Sequence, residues 1–313
     1  MKATITKSTG LWYNAIVENG TVVQCRLKGK LRLDEIKSTN PIAVGDNVIL
    51  RLDHESNSYI ISEILDRNNY IIRLDPHKKA YTQVIAANID QALIVATANA
   101  PRTSDGFINR LLIICEAYHI TPIIILNKID IYTNKKEIDK INEWHHTYTL
   151  AGYKVIHTSI MSKEGIADLH TILKANINLL CGHSGVGKSS LMNIIYPSLG
   201  LKVGPISAFS NKGKHTTTFA EWHTLPDGGA VIDTPGVKEF GLANMEAAEL
   251  GGYLPEIRRY MINCKFTNCT HRNEPHCAVI SALEQGLFNP ARYDSYISMM
   301  HELEDGLEKW EKK

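Results

Sequence analysis

The chain has 313 residues, 44% of them hydrophobic and 21% charged, which excludes a disordered chain and allows two or three hydrophobic cores. The 34 Lys and Arg residues nearly cancel the 33 Asp and Glu residues, so any contact with nucleic acid needs local basic patches rather than a high overall charge. No apolar run approaches the roughly 20 residues that cross a bilayer, and residues 1–15 lack the apolar core of a signal peptide, so we expect a cytoplasmic protein.

Residues 1–68 consist of short strand-like runs between turn residues, among them Thr21-Val22-Val23, Asn47-Val48-Ile49-Leu50 and Tyr59-Ile60-Ile61. The spacing of the turn signals predicts a five-stranded β-barrel of the oligonucleotide-binding (OB) type. Arg26, Lys28, Lys30 and Arg32 alternate along the sequence, and on an uninterrupted strand they would share one face that could follow RNA phosphates. Gly29 leaves open the alternative that a turn breaks this face.

Residues 69–245 alternate between strand and helix signals, which predicts an α/β domain with a mainly parallel sheet. The predicted order is a strand at 91–98, a helix capped by Ser104 or Asp105, a strand at 122–126, a helix at 135–150, a strand at 154–158, a helix with Ile166, Leu169 and Leu173 inward, and a strand ending at Cys181. Within residues 218–233, two strand-like runs flank the turn signal Pro226-Asp227-Gly228-Gly229, and we expect them to form a hairpin.

The segment from Gly182 to Ser189 matches the phosphate-binding pattern G-x-x-x-x-G-K-[ST], and it lies between a predicted strand and a predicted helix. Glycines allow the backbone N–H groups to face the phosphates, Lys188 brings a positive charge, and the Ser189 hydroxyl can coordinate Mg²⁺. The predicted nucleotide contacts of this loop are Gly182, Ser184, Gly185, Val186, Gly187, Lys188, Ser189 and Ser190.

Asn127-Lys128-Ile129-Asp130 follows a predicted strand and therefore lies at the ligand-binding edge of an open α/β sheet, where Asn127, Lys128 and Asp130 are expected to contact the nucleotide. The Asp130 carboxylate can accept hydrogen bonds from N1–H and N2–H of guanine, whereas adenine presents an acceptor at N1, so the site should select GTP. Ser159 and its neighbours, at the end of another strand, could support the base through backbone N–H groups. An ATP-using enzyme is the alternative that Asp130 disfavours.

Asp233-Thr234-Pro235-Gly236 ends another predicted strand, where Asp233 could hold Mg²⁺ through water and the Gly236 N–H could contact the γ-phosphate. In a standard small GTPase the phosphate loop comes first and the base motif last. Here the base motif and the Ser159 loop precede the phosphate loop, and Asp233 ends the series. This order predicts a circularly permuted sheet.

Residues 246–313 are expected to be helical around a cluster of cysteine and histidine residues. Cys264, Cys269 and Cys277, with His271 or His276, form a set suited to a closed, structural zinc site. The last helix has an apolar stripe that should dock onto its own protein. Arg258, Arg259, Lys265 and Arg272 make a second basic group near the predicted metal.

The permuted base motif, GHSGVGKSS at 182–190, KGKHTTT at 212–218 and DTPG at 233–236 together resemble the RsgA (YjeQ) family of circularly permuted GTPases of small ribosomal subunit biogenesis. The resemblance covers essentially the whole chain and implies GTP hydrolysis that the small subunit stimulates during late assembly or quality control. It selects His271 as the zinc ligand and a threonine among 216–218, with Thr217 as the candidate, as the switch residue on Mg²⁺.

Val237 stands where many GTPases have a water-orienting Gln, which predicts slow intrinsic turnover. His215 is the candidate for the missing catalytic group, together with Lys188 and Thr217. We expect GTP or GDP, Mg²⁺ and one structural Zn²⁺ as ligands, the small subunit and its ribosomal RNA as partners, no DNA or membrane, and a monomer. The alternatives are an RNA-binding assembly scaffold whose nucleotide site does not hydrolyse and a permuted GTPase of the large subunit.

Overall fold

The computed structural model of the chain describes residues 1–10, 12–27, 41–54, 58–74, 82–203, 220–234, 242 and 245–311. The described strands are β1 Lys2–Ser8, β2 Trp12–Val17, β3 Val22–Leu27, β4 Asn47–Asp53, β5 Ser58–Ile64, β6 Tyr70–Leu74, β7 Thr82–Ala87, β8 Gln91–Ala96, β9 Thr121–Asn127, β10 Lys154–Thr158, β11 Ile177–Cys181, β12 Glu221–Thr224 and β13 Ala230–Asp233. The described helices are α1 Asp105–Ala117, α2 Lys135–Leu150, α3 Ile166–Leu173, α4 Lys188–Ile195, α5 Pro255–Met261, α6 Ala278–Glu284 and α7 Pro290–Glu311.

The first five strands form a closed barrel in the order β1-β2-β3-β5-β4, and pairing of β1 with β4 closes it. Its core is a separate apolar cluster that includes Ile5, Tyr13, Cys25 and Leu50. The predicted five-stranded barrel is therefore confirmed. Arg26 lies on β3 and its Nη2 is 2.8 Å from Oδ2 of Asp53, whereas Lys28, Lys30 and Arg32 of the predicted basic face lie outside the described residues.

Strands β6 and β7 form a two-stranded antiparallel sheet that the sequence analysis did not predict. This hairpin meets the barrel at an isolated bridge between Val44 and Ala86, and the Ala87 N–H donates to the Val44 carbonyl oxygen at 2.9 Å. Gly45 is required there, because a Cβ atom on it would lie 2.1 Å from the Ala87 carbonyl oxygen.

The α/β part contains the parallel order β10-β9-β8-β11-β13, and β12 then adds antiparallel to β13 as the predicted hairpin. Every residue of β8 is buried, as expected for a central parallel strand covered on both faces. Ser104 rather than Asp105 is the cap of α1, since its side chain accepts a hydrogen bond from the Phe107 N–H.

The C-terminal helix α7 docks onto its own protein, as predicted, with Tyr296, Met299 and Met300 in the core that α1 and β8 also build. Arg292 of α7 forms an ion pair with Glu256 of α5, and both residues are buried, at 1% and 4% exposed. Among the described residues, no helix combines the length and the apolar character that crossing a membrane requires.

Candidate nucleotide and metal sites

The carboxyl ends of the parallel strands bring the predicted nucleotide residues to one edge of the sheet. Asn127 at the end of β9 is in register with Thr158 at the end of β10, and Leu180 before the phosphate loop is in register with Asp233 on β13. The base motif, the Ser159 loop, the phosphate loop and Asp233 therefore meet where ligands bind in open α/β folds.

Close approaches of the backbone require the glycines of the phosphate loop. Gly187 has a φ of 99°, and a Cβ atom on it would lie 2.4 Å from Asn127 Nδ2. Gly182 has a φ of 144°, and its Cβ atom would lie 2.6 Å from the carbonyl oxygen of Val95. Val186 is buried and anchors the loop in the core, while Ser184 and Gly185 are exposed at its tip.

Lys188 is the first residue of α4, and its ammonium lies inside the loop. Its Nζ donates to the carbonyl oxygens of Gly182 at 2.8 Å and His183 at 3.1 Å. Burial lowers the pKa of Lys188, and the nearby Asp233 carboxylate opposes that change. Ser189 and Ser190 follow in the first turn of α4, half-buried at the same end of the helix.

Asn127 joins the base motif to the phosphate loop. Its side chain is fully buried, its Nδ2 donates to the Val186 carbonyl oxygen at 2.8 Å, and its Oδ1 accepts from Thr158 Oγ1 at 2.9 Å. The neighbouring Lys128 donates from Nζ to the carbonyl oxygens of Gly185 at 2.8 Å and Ala100 at 2.5 Å. Both residues thus hold the two motifs together through side-chain contacts.

Tyr132 supports the same motif, and the sequence analysis missed it. Its hydroxyl donates to the Asn127 carbonyl oxygen at 3.0 Å and accepts from the Ala98 N–H at 3.0 Å, which ties the ends of β8 and β9 together. A buried aromatic residue shortly after a strand carries no distinctive sequence signal. Phe107 of α1 was also missed; its ring lies against that of His183 in the phosphate loop, with centroids 3.9 Å apart.

Asp130 lies in a short 3-10 helix and is exposed, so its carboxylate faces solvent next to the joined motifs. Ser159 is buried and shapes its loop, since its Oγ accepts from the N–H groups of Met161 at 3.1 Å and Ser162 at 3.0 Å. The Ser159 N–H donates to the Glu164 carbonyl oxygen, so a base contact from this loop would use a different N–H group. His215, Thr216–Thr218, Gly236 and Val237 lie outside the described residues.

The predicted metal ligands Cys264, Cys269, His271 and Cys277 converge, with their ligand atoms all within 4.8 Å of one another. Cys264 Sγ lies 3.9 Å from Cys277 Sγ and 3.6 Å from His271 Nδ1. Around a tetrahedral zinc ion, ligand bond lengths of about 2.3 Å for sulfur and 2.0 Å for nitrogen give separations of roughly 3.5–3.8 Å. The cluster therefore fits zinc. His276, the other candidate, is exposed and is not among the converging residues.

Surrounding hydrogen bonds hold the cluster's loop in place. Burial alone would raise the pKa of Glu274, but the hydrogen bonds that its carboxylate accepts from Thr270 and Arg272 outweigh this and lower its pKa to about 2. Tyr293 and Tyr296 of α7 donate to the carbonyl oxygens of His271 and Thr270. The C-terminal helix thus braces the metal loop directly.

The second predicted basic group is only partly available. Arg258 pairs with Glu116, and Arg272 pairs with Glu304 through two hydrogen bonds. Arg259 and Lys265 are exposed.

Comparison with known proteins agrees with this architecture. A model of the RsgA GTPase family matches residues 64–243, and a model of the RsgA N-terminal domain matches residues 2–60. A small ribosomal subunit biogenesis GTPase RsgA from Bacteroides fragilis is 45% identical over 306 residues, which cover 98% of each chain. The chain belongs to the RsgA GTPase family. An RsgA from Flavobacterium johnsoniae is 44% identical over 302 residues, covering 96% of this chain and 93% of that one.

Solved structures of RsgA relatives extend the likeness to the whole fold. The crystal structure of YjeQ from Thermotoga maritima matches with a TM-score of 0.78 and 32% identity, covering 96% of this chain and 98% of that one. The structure of YloQ, described as a circularly permuted GTPase, matches with a TM-score of 0.74 and 32% identity, covering 97% and 95%. The predicted fold class, including the permutation, is thereby confirmed.

Proposed function

We propose that the chain binds the small ribosomal subunit and hydrolyses GTP during late assembly or quality control of that subunit. The observation that carries the proposal is the joining of a guanine-type base motif to a phosphate loop, since Asn127 contacts Val186 and Lys128 contacts Gly185. The names of the relatives support the same activity and partner. They favour this function over the alternative of a scaffold that does not hydrolyse its nucleotide.

The exposed Asp130 beside the joined motifs is the proposed reader of guanine. A site built to hydrogen-bond a substrate rejects a ligand that lacks the matching groups by about 10⁴–10⁵-fold. Competition between GTP and ATP for the full-length chain tests this. ATP binding as tight as GTP binding would contradict the assignment of Asp130.

Hydrolysis requires a water molecule to attack the γ-phosphate while the loop stabilises the growing negative charge. Lys188 and the loop N–H groups supply that stabilisation, and Ser189, Asp233 and Thr217 would hold Mg²⁺, which neutralises charge on the phosphates when bound. His215 is the proposed catalytic group. Stimulated turnover that stays unchanged in His215→Ala, with nucleotide binding intact, would remove it from the mechanism.

The cluster of Cys264, Cys269, His271 and Cys277 is proposed to hold one structural zinc ion. Three thiolates and one imidazole leave no open coordination position, so the metal would staple the loop rather than react. The zinc content of purified Cys269→Ala tests this. Stoichiometric metal retained by that variant would contradict a site with four protein ligands.

The remaining assignments follow from the proposed role. The barrel and the exposed Arg259 and Lys265 are proposed to contact ribosomal RNA, in a cytoplasmic and monomeric protein that needs no DNA. We place the domain limits near residues 68 and 245. Sedimentation with isolated small and large subunits, with a non-hydrolysable GTP analogue or with GDP, tests both the partner and its dependence on nucleotide. Equal affinity in both nucleotide states would refute a nucleotide switch.

A further inference from the structure

One row of side chains runs from the barrel into the nucleotide edge of the α/β sheet. Lys7 on β1 is the cross-strand partner of Glu221 on β12. Among the described residues, this is the recorded pairing between the two strands. Glu221 is in turn paired with Asp233 on β13, and Asp233 with Leu180 on β11. The barrel is therefore only one strand away from the carboxylate proposed to serve Mg²⁺.

An irregularity in β1 brings Lys7 to this position. Ala3 and Ile5 point into the barrel, so regular alternation would turn the side chain of residue 7 inward as well. The register with β2 shifts between Ile5 and Lys7, and Thr6 is buried directly after Ile5. This bulge turns Lys7 outward toward Glu221. Bulges that re-aim a side chain in this way are common next to functional sites.

The charges along the row explain why a lysine is useful at this point. Glu221 and Asp233 are directly opposite each other on neighbouring strands, and like charges in that arrangement repel. The Lys7 ammonium forms an ion pair with the Glu221 carboxylate. Because their side chains are 42% and 35% exposed, this pair adds little to stability. The pair instead places a barrel residue in contact with the residue directly opposite Asp233.

A second attachment of the barrel lies near this contact and is buried, because Gly45 and Asp46 are hydrogen-bonded to Ile5 of β1, two residues before Lys7. Next to the Val44–Ala86 bridge, Asn88 Nδ2 donates to the Gly45 carbonyl oxygen at 2.9 Å, and Gly45 packs against Ala87 too closely for any side chain. The barrel thus has a buried attachment to the β6–β7 hairpin and an exposed polar contact at the nucleotide edge. Breaking the exposed contact uncovers less buried surface than breaking the attachment to the hairpin. The exposed contact can therefore respond more easily to a ligand on the barrel.

We propose that Lys7 and Glu221 are a positioning pair through which RNA bound to the barrel alters the surroundings of Asp233 and so the rate of GTP hydrolysis. This inference rests on the proposed function. Neither Lys7 nor Glu221 is assigned a contact with the nucleotide. Substituting either residue should therefore leave the unstimulated reaction intact.

The test compares Lys7→Gln, Glu221→Gln, the double variant and Lys7→Arg in the full-length chain, with Lys2→Gln as the control at the other end of β1. GTP hydrolysis is measured alone and with saturating small subunits, and subunit affinity is measured by sedimentation. We expect each single Gln variant to keep its basal kcat and its subunit affinity while the stimulated kcat falls about fivefold, at the low end of coupling between sites. The double variant should lose no more than either single variant, because the pair acts as one unit.

Lys7→Arg, which keeps the ion pair, and Lys2→Gln should both be stimulated as the wild type is. Full stimulation of Lys7→Gln would overturn the inference while leaving the proposed function standing. A loss of subunit affinity that accounts for the lower rate would also overturn it, because Lys7 would then be a binding residue. A wild-type chain that small subunits do not stimulate would instead refute the proposed function.

Discussion

The buried ion pair between Arg292 of α7 and Glu256 of α5 gives the sharpest prediction about stability. Arg292 Nε lies 2.5 Å from Glu256 Oε1, and its Nη1 donates to Asn109 Oδ1 of α1 at 2.8 Å. The guanidinium also lies 5.8 Å from the Tyr148 ring centroid. Arg292→Ala would leave the Glu256 carboxylate buried without its partner, which costs about 3–5 kcal/mol of unfolding free energy.

The control for this variant lies in the same helix interface. Arg110 on α1 pairs with Glu302 on α7, but the two side chains are 29% and 51% exposed, so Arg110→Ala should cost at most about 1 kcal/mol. Urea unfolding followed by far-UV circular dichroism measures both variants. A second variant, Arg292→Met with Glu256→Leu, removes both charges and should recover most of the loss. Equal effects of Arg292→Ala and Arg110→Ala would refute the reasoning.

Three further predictions concern the two sites. Asp130→Asn should weaken GTP binding and favour xanthosine triphosphate in competition assays, because the Asn amide can donate to the carbonyl group that xanthine has in place of the guanine amine. An unchanged preference for GTP would contradict the assignment. Gly187→Ala should lower nucleotide affinity at least tenfold in a titration, because the new Cβ atom would clash with Asn127 Nδ2 at 2.4 Å. An affinity equal to that of the wild type would show that the loop tolerates the side chain. The lowered pKa of Glu274, about 2 in the folded chain, stabilises the fold above its usual pKa near 4.5 and loses that effect as the pH falls through this window toward 2. The melting temperature of Glu274→Gln should therefore lie below that of the wild type at pH 7, and the difference should shrink below pH 4.5 and disappear only near pH 2. A constant difference would exclude ionisation as the cause.

Much of the α/β architecture could be predicted because its signals are local. The helix at Lys135–Leu150 and the strand at Lys154–Thr158 have the predicted bounds, since periodicity and turn residues determine both. The β6–β7 hairpin was missed, and its bridge between Ala86 and the distant Val44 is a contact that local signals do not indicate.

The motifs located the site, but the contacts within it could not be predicted. Asn127 and Lys128 were expected to contact the nucleotide, and the sequence does not reveal that they bond to Val186 and Gly185 some 57–59 positions later. The hydroxyl of Tyr132, the partners of Arg292 and the bulge before Lys7 depend on tertiary packing in the same way. A single sequence carries propensities and motifs, but not which distant polar groups share a buried space.

The central claim is that this chain hydrolyses GTP in response to the small ribosomal subunit. The most direct measurement is phosphate release from GTP by the full-length chain alone, with purified small subunits and with purified large subunits. We predict slow release by the chain alone, a large increase with small subunits and none with large subunits. Release that small subunits leave unchanged, or that large subunits increase equally, would contradict the account.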